Sequence, residues 1–142
     1  MRRPRDRQAA RPDPTFETMG SNKVRVSHLA ESTFEGGGLR AHYEYRDLGV
    51  AEATAGRFGA HVIRTRNSEE ISPAHYHTLE FQIIYILKGW VVFDYEGTGE
   101  VRLETGSCAY QPPGIRHAEV AHSADLEILE ITMPAQFASI AL

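Results

Sequence analysis

The chain has 142 residues, which is enough for a single domain with one hydrophobic core. Hydrophobic residues make up 42% of it and charged residues 24%, as is ordinary for a soluble globular protein. The net charge of −4 argues against nucleic acid as a partner, because binding phosphates requires a basic surface.

The N-terminal leader, residues 1–22, is rich in arginine and proline. It has too few hydrophobic residues to pack, so we expect it to be disordered, with Met19 an alternative start to Met1. Residues 23–142 are then the folded domain. No run approaches 18 apolar residues, so we expect no membrane partner. The single cysteine, Cys108, excludes an internal disulfide and fits a cytoplasmic location.

Strand patterns then follow one another along the chain. A weak alternation predicts a first strand over residues 24–29, and clearer patterns predict strands over 39–45 and 58–65, with a connection that includes a short helical turn between them. Residues 81–87 are apolar at nearly every position, which predicts a strand buried on both faces. Residues 90–95 are predicted to pair back onto that strand through a short turn.

The remaining predicted strands cover residues 101–103, 107–111 and 126–132, and the tail 134–142 is predicted to be a short helix or an edge strand. About seven short strands with no long helical pattern are typical of an antiparallel sandwich or barrel. We find no glycine-rich phosphate loop and no serine-elbow motif in the sequence.

Three histidines carry the chemistry that the sequence suggests. His75 and His77 are two residues apart, so on a strand both imidazoles point to one face. His117 follows a glycine- and proline-rich corner some distance along the chain. If a neighbouring strand brings His117 to the same point, the three imidazoles form a set of metal donors.

The spacing of these residues resembles that of the cupins, small jelly-roll barrels whose two motifs supply histidines and a carboxylate to one metal ion. The resemblance covers residues 60–133 and implies an all-β fold, a double-stranded β-helix of a single cupin domain. The positions that carry it are His75, His77, Gln82 and Gly89 in the first motif, and Gly106, Pro112, Gly114 and His117 in the second.

Two positions depart from the family's pattern. Gln82 stands where a glutamate is usual, and Ala121 stands where the second motif ends in asparagine. Counting back from Gly89 favours Gln82 as the fourth ligand, whereas Glu80 could reach the site only if the strand slipped or bulged. Gln82 could instead hydrogen-bond a ligand imidazole. Because an amide cancels none of the charge of a metal, we expect the bound ion to be a stronger Lewis acid.

The resemblance implies one divalent transition metal as cofactor. Fe²⁺ is favoured, and Zn²⁺, Ni²⁺, Mn²⁺ and Cu²⁺ are alternatives that three imidazoles also suit. The favoured function is a small-molecule dioxygenase-type oxidoreductase. The alternatives are a metal-dependent isomerase, lyase or hydrolase, in which Glu80 or a tyrosine moves protons, and a non-catalytic cupin that binds a small ligand. No catalytic residue beyond the metal ligands is assigned.

Two further expectations concern the surface and the core. A small barrel has sheet edges to cover, so we expect a homodimer in which these edges pair. Cys108 is expected to be a buried, inert thiol, and the histidines outside the two motifs are expected to be ordinary surface or core residues.

Overall fold

The computed structural model describes residues 20–36, 42–66 and 70–142, and within them it contains ten strands in two antiparallel sheets. Sheet I has the strand order β1 (Tyr43–Asp47), β2 (Gly59–Thr65), β9 (Glu127–Met133), β4 (Phe81–Lys88) and β7 (Cys108–Tyr110). Sheet II has the strand order β10 (Ser139–Ala141), β3 (His75–His77), β8 (His117–His122), β5 (Trp90–Tyr95) and β6 (Gly99–Glu104).

The hydrophobic core lies between the two sheets. Sheet I contributes Ile63, Ile84 and Ile86, and sheet II contributes Val91 and Phe93. Ile86 and Val91 are fully buried, which places the centre of the core where β4 is followed by β5. Two antiparallel sheets packed face to face are the jelly-roll architecture, so the predicted all-β fold is confirmed.

The corner between β4 and β5 changes the predicted pairing. Gly89 has φ +73°, a left-handed conformation that favours glycine, and a side chain there would collide with Ser123 and Asp125. Past this corner the backbone N–H of Ser123 donates to the carbonyl oxygen of Trp90, and the backbone N–H of Trp90 donates to Oγ of Ser123. Strand β5 then pairs with β6 and β8 in sheet II. The prediction that β5 pairs back onto β4 is therefore wrong, because Gly89 carries the chain from one sheet to the other.

Strand β4 also differs from its prediction in burial. Its interior face carries Gln82, Ile84 and Ile86, all buried, whereas Tyr85 and Leu87 on the opposite face are each 41% exposed. The prediction of a strand buried on both faces is wrong for the described chain, because nothing in it covers the outside of sheet I at these two residues.

The predicted first strand, the helical turn, the tail and the leader can each be compared with the structure. Residues 24–28 form no strand and lead into a 3₁₀ turn, Leu29–Glu31, and Val24 is 91% exposed. The short helical turn is confirmed as α1 (Val50–Ala53), and the tail forms the edge strand β10. The predicted disordered leader falls on residues 1–19 for the most part, which lie outside the described residues.

Strand β8 was not predicted from the sequence. Its inward positions are occupied by His117 and Glu119, so polar residues stand where an apolar pattern would mark a buried face. No helix among the described residues is long and apolar enough to cross a membrane.

Candidate metal centre

The three motif histidines converge inside the molecule. Strands β3 and β8 are antiparallel neighbours with His75 directly opposite His117, and His77 lies two residues along β3 on the same face. The ring centroids are 4.8 Å apart for His75 and His77, 4.3 Å for His75 and His117, and 5.1 Å for His77 and His117. One nitrogen from each ring lies within 4.8 Å of the other two, and all three residues are buried.

Hydrogen bonds set the tautomer of these imidazoles. Nδ1 of His75 lies 2.6 Å from the carbonyl oxygen of Pro73, and Nδ1 of His117 lies 3.0 Å from that of Ile115. Because a carbonyl oxygen can only accept, both Nδ1 atoms carry hydrogen, which makes Nε2 the lone-pair nitrogen of each ring in its neutral form.

His77 is held in a different way, since its Nδ1 lies 2.6 Å from Oγ of Ser139 on β10. Three buried imidazoles, each with Nδ1 engaged by a hydrogen-bonding partner, are in their neutral form a donor set that divalent transition metals prefer. The described residues therefore fit a divalent metal ion.

Sheet I forms the opposite wall of the site. Gln82 on β4 is buried and lines the same cavity as the three histidines. Its Nε2 donates a hydrogen bond of 2.9 Å to Oε2 of Glu130 on β9. Glu80, the alternative ligand, lies before β4, is exposed, and does not join the histidine cluster.

Glu130 is a site residue that the sequence analysis missed. The sequence signal for it is its phase, because on the predicted strand 126–132 Glu130 shares a face with Ile128 and Thr132. Both of these neighbours are buried in the structure. A carboxylate on the inward face of a strand is uncommon and indicates a functional or paired group.

Two cavities near these residues share part of their lining. The cavity between the histidines and Gln82 has a volume of about 60 Å³, enough for an ion and a few water molecules. A larger cavity of about 970 Å³ adjoins it, and both are lined by Tyr45, Glu130 and Phe137. The ring of Phe137, which lines both cavities, packs against His77 with ring centroids 5.2 Å apart.

The larger cavity has a polar lining. Residues between 25 and 36 form one side, and His61 and Asp47 of sheet I form part of the other. Burial lowers the pKa of His61, and the negative charge of Asp47 opposes that shift. The sequence places His61 on a predicted strand and favours an ordinary surface or core position over one that faces the cavity, whereas in the structure His61 lies in the cavity wall.

A second buried polar cluster supports the histidine site. Glu119 accepts a 2.7 Å hydrogen bond from the backbone N–H of Ser72, and Nε2 of His42 lies 3.3 Å from the same carboxylate oxygen. The backbone N–H of Glu119 also donates to the carbonyl oxygen of Ser72. These contacts attach the segment that precedes β3 to β8, and so they help to place His75 beside His117.

The exposure of the single cysteine differs from the prediction. Cys108 is exposed, so the prediction of a buried thiol is wrong. It lies on the edge strand β7 opposite Tyr85, on the outer face of sheet I.

Tyr43 lines the smaller cavity, and its hydroxyl is buried without a hydrogen-bond partner among the described residues.

Comparisons with known proteins agree with this architecture. The family model described as "Cupin domain" matches residues 63–132. A search of curated proteins found no match to the chain.

Several solved structures have a similar fold. KdgF from Halomonas sp. has a TM-score of 0.66 and 18% identity, over 80% of this chain and 96% of that one. The polyketide cyclase RemF from Streptomyces resistomycificus has a TM-score of 0.67 and 18% identity, over 84% of this chain and 86% of that one. HppE in its iron(II) form has a TM-score of 0.61 and 14% identity, over 80% of this chain and 62% of that one. At such identities the likeness shows the fold alone.

Proposed function

The chain belongs to the cupin family, and on that premise we propose that it is a small-molecule metalloenzyme. In this proposal His75, His77 and His117 hold one divalent transition ion, and Gln82 is the fourth ligand. The observation that carries it is the convergence of three buried imidazoles within 4.8 Å of one another. The fixed Nδ1 hydrogens of His75 and His117 support it further, because they leave Nε2 as the acceptor nitrogen of each ring.

Fe²⁺ is the metal that we favour. Three imidazoles and an amide oxygen suit iron, and they also suit Zn²⁺, Ni²⁺, Mn²⁺ and Cu²⁺, so the ligands alone do not select one ion. HppE, a protein of similar fold, is described in its iron(II) form, which is compatible with iron on this barrel.

The first candidate reaction is that of a dioxygenase-type oxidoreductase. When bound, the ion supplies a Lewis acid and, if it is iron, a redox centre. The protein's part is to hold the imidazoles in place, to exclude water and to orient the substrate. The cavity of about 60 Å³ admits only a small reacting group, and the adjoining cavity of about 970 Å³ has room for the rest of the molecule.

The second candidate is a metal-dependent isomerase, lyase or hydrolase. The observation that favours it is Glu130, whose side chain lines both cavities and can therefore meet a substrate that extends from one into the other. A carboxylate in that position can take up or deliver a proton. RemF, of similar fold, is described as a polyketide cyclase. A cupin that only binds a small ligand is the third alternative.

Metal analysis of protein purified without an affinity tag tests the metal site. We expect about one equivalent of iron per chain in the wild type and none in His77→Ala. Absence of metal from wild-type protein under any loading would contradict the proposal and leave the ligand-binding alternative.

Oxygen uptake then separates the two enzyme classes. Iron-loaded protein that consumes dioxygen with a panel of small substrates supports the dioxygenase. Turnover without oxygen uptake, or stoichiometric zinc in place of iron, supports the isomerase, lyase or hydrolase.

We also propose that the protein forms a homodimer. The outer face of sheet I has apolar residues beside the edge strand β7, including Tyr85 and Leu87 at 41% exposed and Tyr110 at 59%. A second copy placed there would cover both the apolar face and the open edge of the sheet. Sedimentation velocity is expected to give a dimer, and a monomer at micromolar concentration would contradict the proposal. A cytoplasmic location stays a prediction from the single cysteine.

A further inference from the structure

We infer that Glu130 is a positioning residue of this centre, which turns the amide of Gln82 so that its oxygen, and not its NH₂ group, faces the histidines. The inference rests on the proposed metal site. Glu130 is not one of the cupin motif positions from which the metal site was predicted, so its role is an addition to that prediction.

Strand pairing brings the two side chains together. On the interior face of sheet I, Gln82 is opposite Thr132 and Glu130 is opposite Ile84, so Gln82 and Glu130 are diagonal neighbours on adjacent strands. Diagonal neighbours are within reach of each other when their side chains are long. The contact is 2.9 Å between Nε2 of Gln82 and Oε2 of Glu130, and it joins residues 48 positions apart in the chain.

The chemistry of the contact selects one orientation of the amide. A carboxylate only accepts hydrogen bonds, and within an amide only the NH₂ group donates, so Glu130 fixes the NH₂ end of Gln82 on its own side. In the described part of the chain the side chain of Gln82 makes no other hydrogen bond. Its oxygen is therefore left to face the cavity that it shares with the three histidines.

The two ends of the amide differ as metal ligands. The carbonyl oxygen has lone pairs and can bind a cation, whereas the NH₂ group offers only hydrogens, which a cation repels. A flipped Gln82 would lower the affinity of the site for metal, and no other described contact of its side chain opposes the flip. Glu130 supplies that restraint.

Glu130 also changes the expected charge of the centre. The sequence alone suggested that Gln82 leaves the charge of the ion uncompensated where other cupins place a glutamate. The structure shows a carboxylate one hydrogen bond behind Gln82. The site therefore keeps a carboxylate, but this carboxylate belongs to Glu130 and is one hydrogen bond further from the ion than a direct ligand at position 82 would be.

The test uses Co²⁺ titrations of the full chain, with the visible spectrum of the bound ion as a second readout. Glu130→Gln keeps the shape of the side chain but can both donate and accept, so it no longer selects one orientation of Gln82. We expect its affinity for Co²⁺ to fall about 10- to 100-fold, with an altered spectrum. Glu80→Gln, a matched change at an exposed glutamate outside the cluster, is expected to leave both readouts unchanged.

A double variant provides the rescue. In Gln82→Glu with Glu130→Gln, the donor and the acceptor exchange places, so the amide at position 130 orients a carboxylate at position 82. We expect this variant to bind Co²⁺ at least as tightly as the wild type. It also keeps the test informative if Glu130→Gln alone does not fold, because the exchanged pair retains one donor and one acceptor.

The failures of the two proposals can be told apart. If Glu130→Gln folds and binds Co²⁺ with wild-type affinity and spectrum while His77→Ala does not bind, the positioning role is overturned and the metal site stands. If the double variant folds but binds no better than Glu130→Gln, the positioning role is likewise overturned. If wild-type protein binds no Co²⁺, both proposals fail together.

Discussion

The histidine wall of the cavity and the amide–carboxylate wall opposite it enclose the same space, but different kinds of partner hold them. In sheet II, the imidazoles of His75 and His117 are held by backbone carbonyl oxygens two residues before each of them. In sheet I, the amide of Gln82 is held by one side chain, Glu130, from another strand. A backbone carbonyl persists whatever side chain stands at its position, whereas a side-chain partner can be lost by one substitution.

The difference indicates which parts of the site can vary without loss of the metal. The rings of His75 and His117 are oriented by local backbone carbonyl oxygens, so substitution of other side chains leaves these two hydrogen bonds available. The wall of sheet I depends on a contact between two side chains, so its charge and its ligand can change while the histidines stay. His77 is intermediate, because it lies in the histidine wall but depends on the hydroxyl of Ser139.

Removal of an imidazole should have the largest effect. His117→Ala is expected to weaken metal binding at least 100-fold, since about 100-fold is the upper limit when only a supporting hydrogen bond to a ligand is lost. A competition titration against a chromophoric chelator measures this. His28→Ala, at an exposed histidine outside the cluster, is the matched control and should bind as the wild type does. Equal losses in the two variants would show that the three rings are not the binding site.

Ser139→Ala should have a smaller effect on the same wall. It removes the 2.6 Å contact with Nδ1 of His77 but leaves all three imidazoles present. We expect metal affinity to fall about 10-fold, measured by the same titration. Ser139→Thr retains the hydroxyl and should restore most of the loss. If Ser139→Ala binds as tightly as the wild type, side-chain support does not matter for His77.

Two buried tyrosines, one in each sheet, should differ in how much their hydroxyls contribute to stability. The hydroxyl of Tyr43 in sheet I has no hydrogen-bond partner within residues 20–36, 42–66 and 70–142, whereas that of Tyr95 in sheet II accepts a 2.6 Å bond from Nε2 of Gln111. Tyr43→Phe should change the free energy of unfolding by less than about 0.5 kcal/mol, or raise it, because a buried unpaired hydroxyl is lost. Tyr95→Phe should lower it by about 1 kcal/mol or more, because the Gln111 amide is left unpaired.

Urea unfolding followed by tryptophan fluorescence measures both variants. A substantial destabilisation by Tyr43→Phe would mean that its hydroxyl has a partner in solution. If ligand binding falls while stability is unchanged, the hydroxyl of Tyr43 contacts the ligand directly.

Several parts of this molecule could be predicted from short stretches of sequence. Strands such as β2 and β9 are marked by their alternation, and Gly89 and the glycine- and proline-rich corner mark turns, because these residues set the local backbone. The pairing of β5 could not be predicted, because the turn at Gly89 is as short as that of a hairpin and yet leads to the other sheet. Strand β8 was missed because the residues on its buried face serve the site and not the core.

The sequence by itself determined an antiparallel all-β class and the pairing of His75 with His77, because a period of two along a strand fixes which side chains share a face. The jelly roll and the place of His117 beside this pair were implied by the resemblance to the cupins. Only the tertiary structure decided that Glu130 stands behind Gln82, that Glu80 lies outside the site and that β4 and β5 belong to opposite sheets. These features depend on which strands become neighbours. Neighbouring strands are selected by the packing of the whole core, so the sequence of one strand can indicate that Glu130 faces inward but not which residue it will meet there.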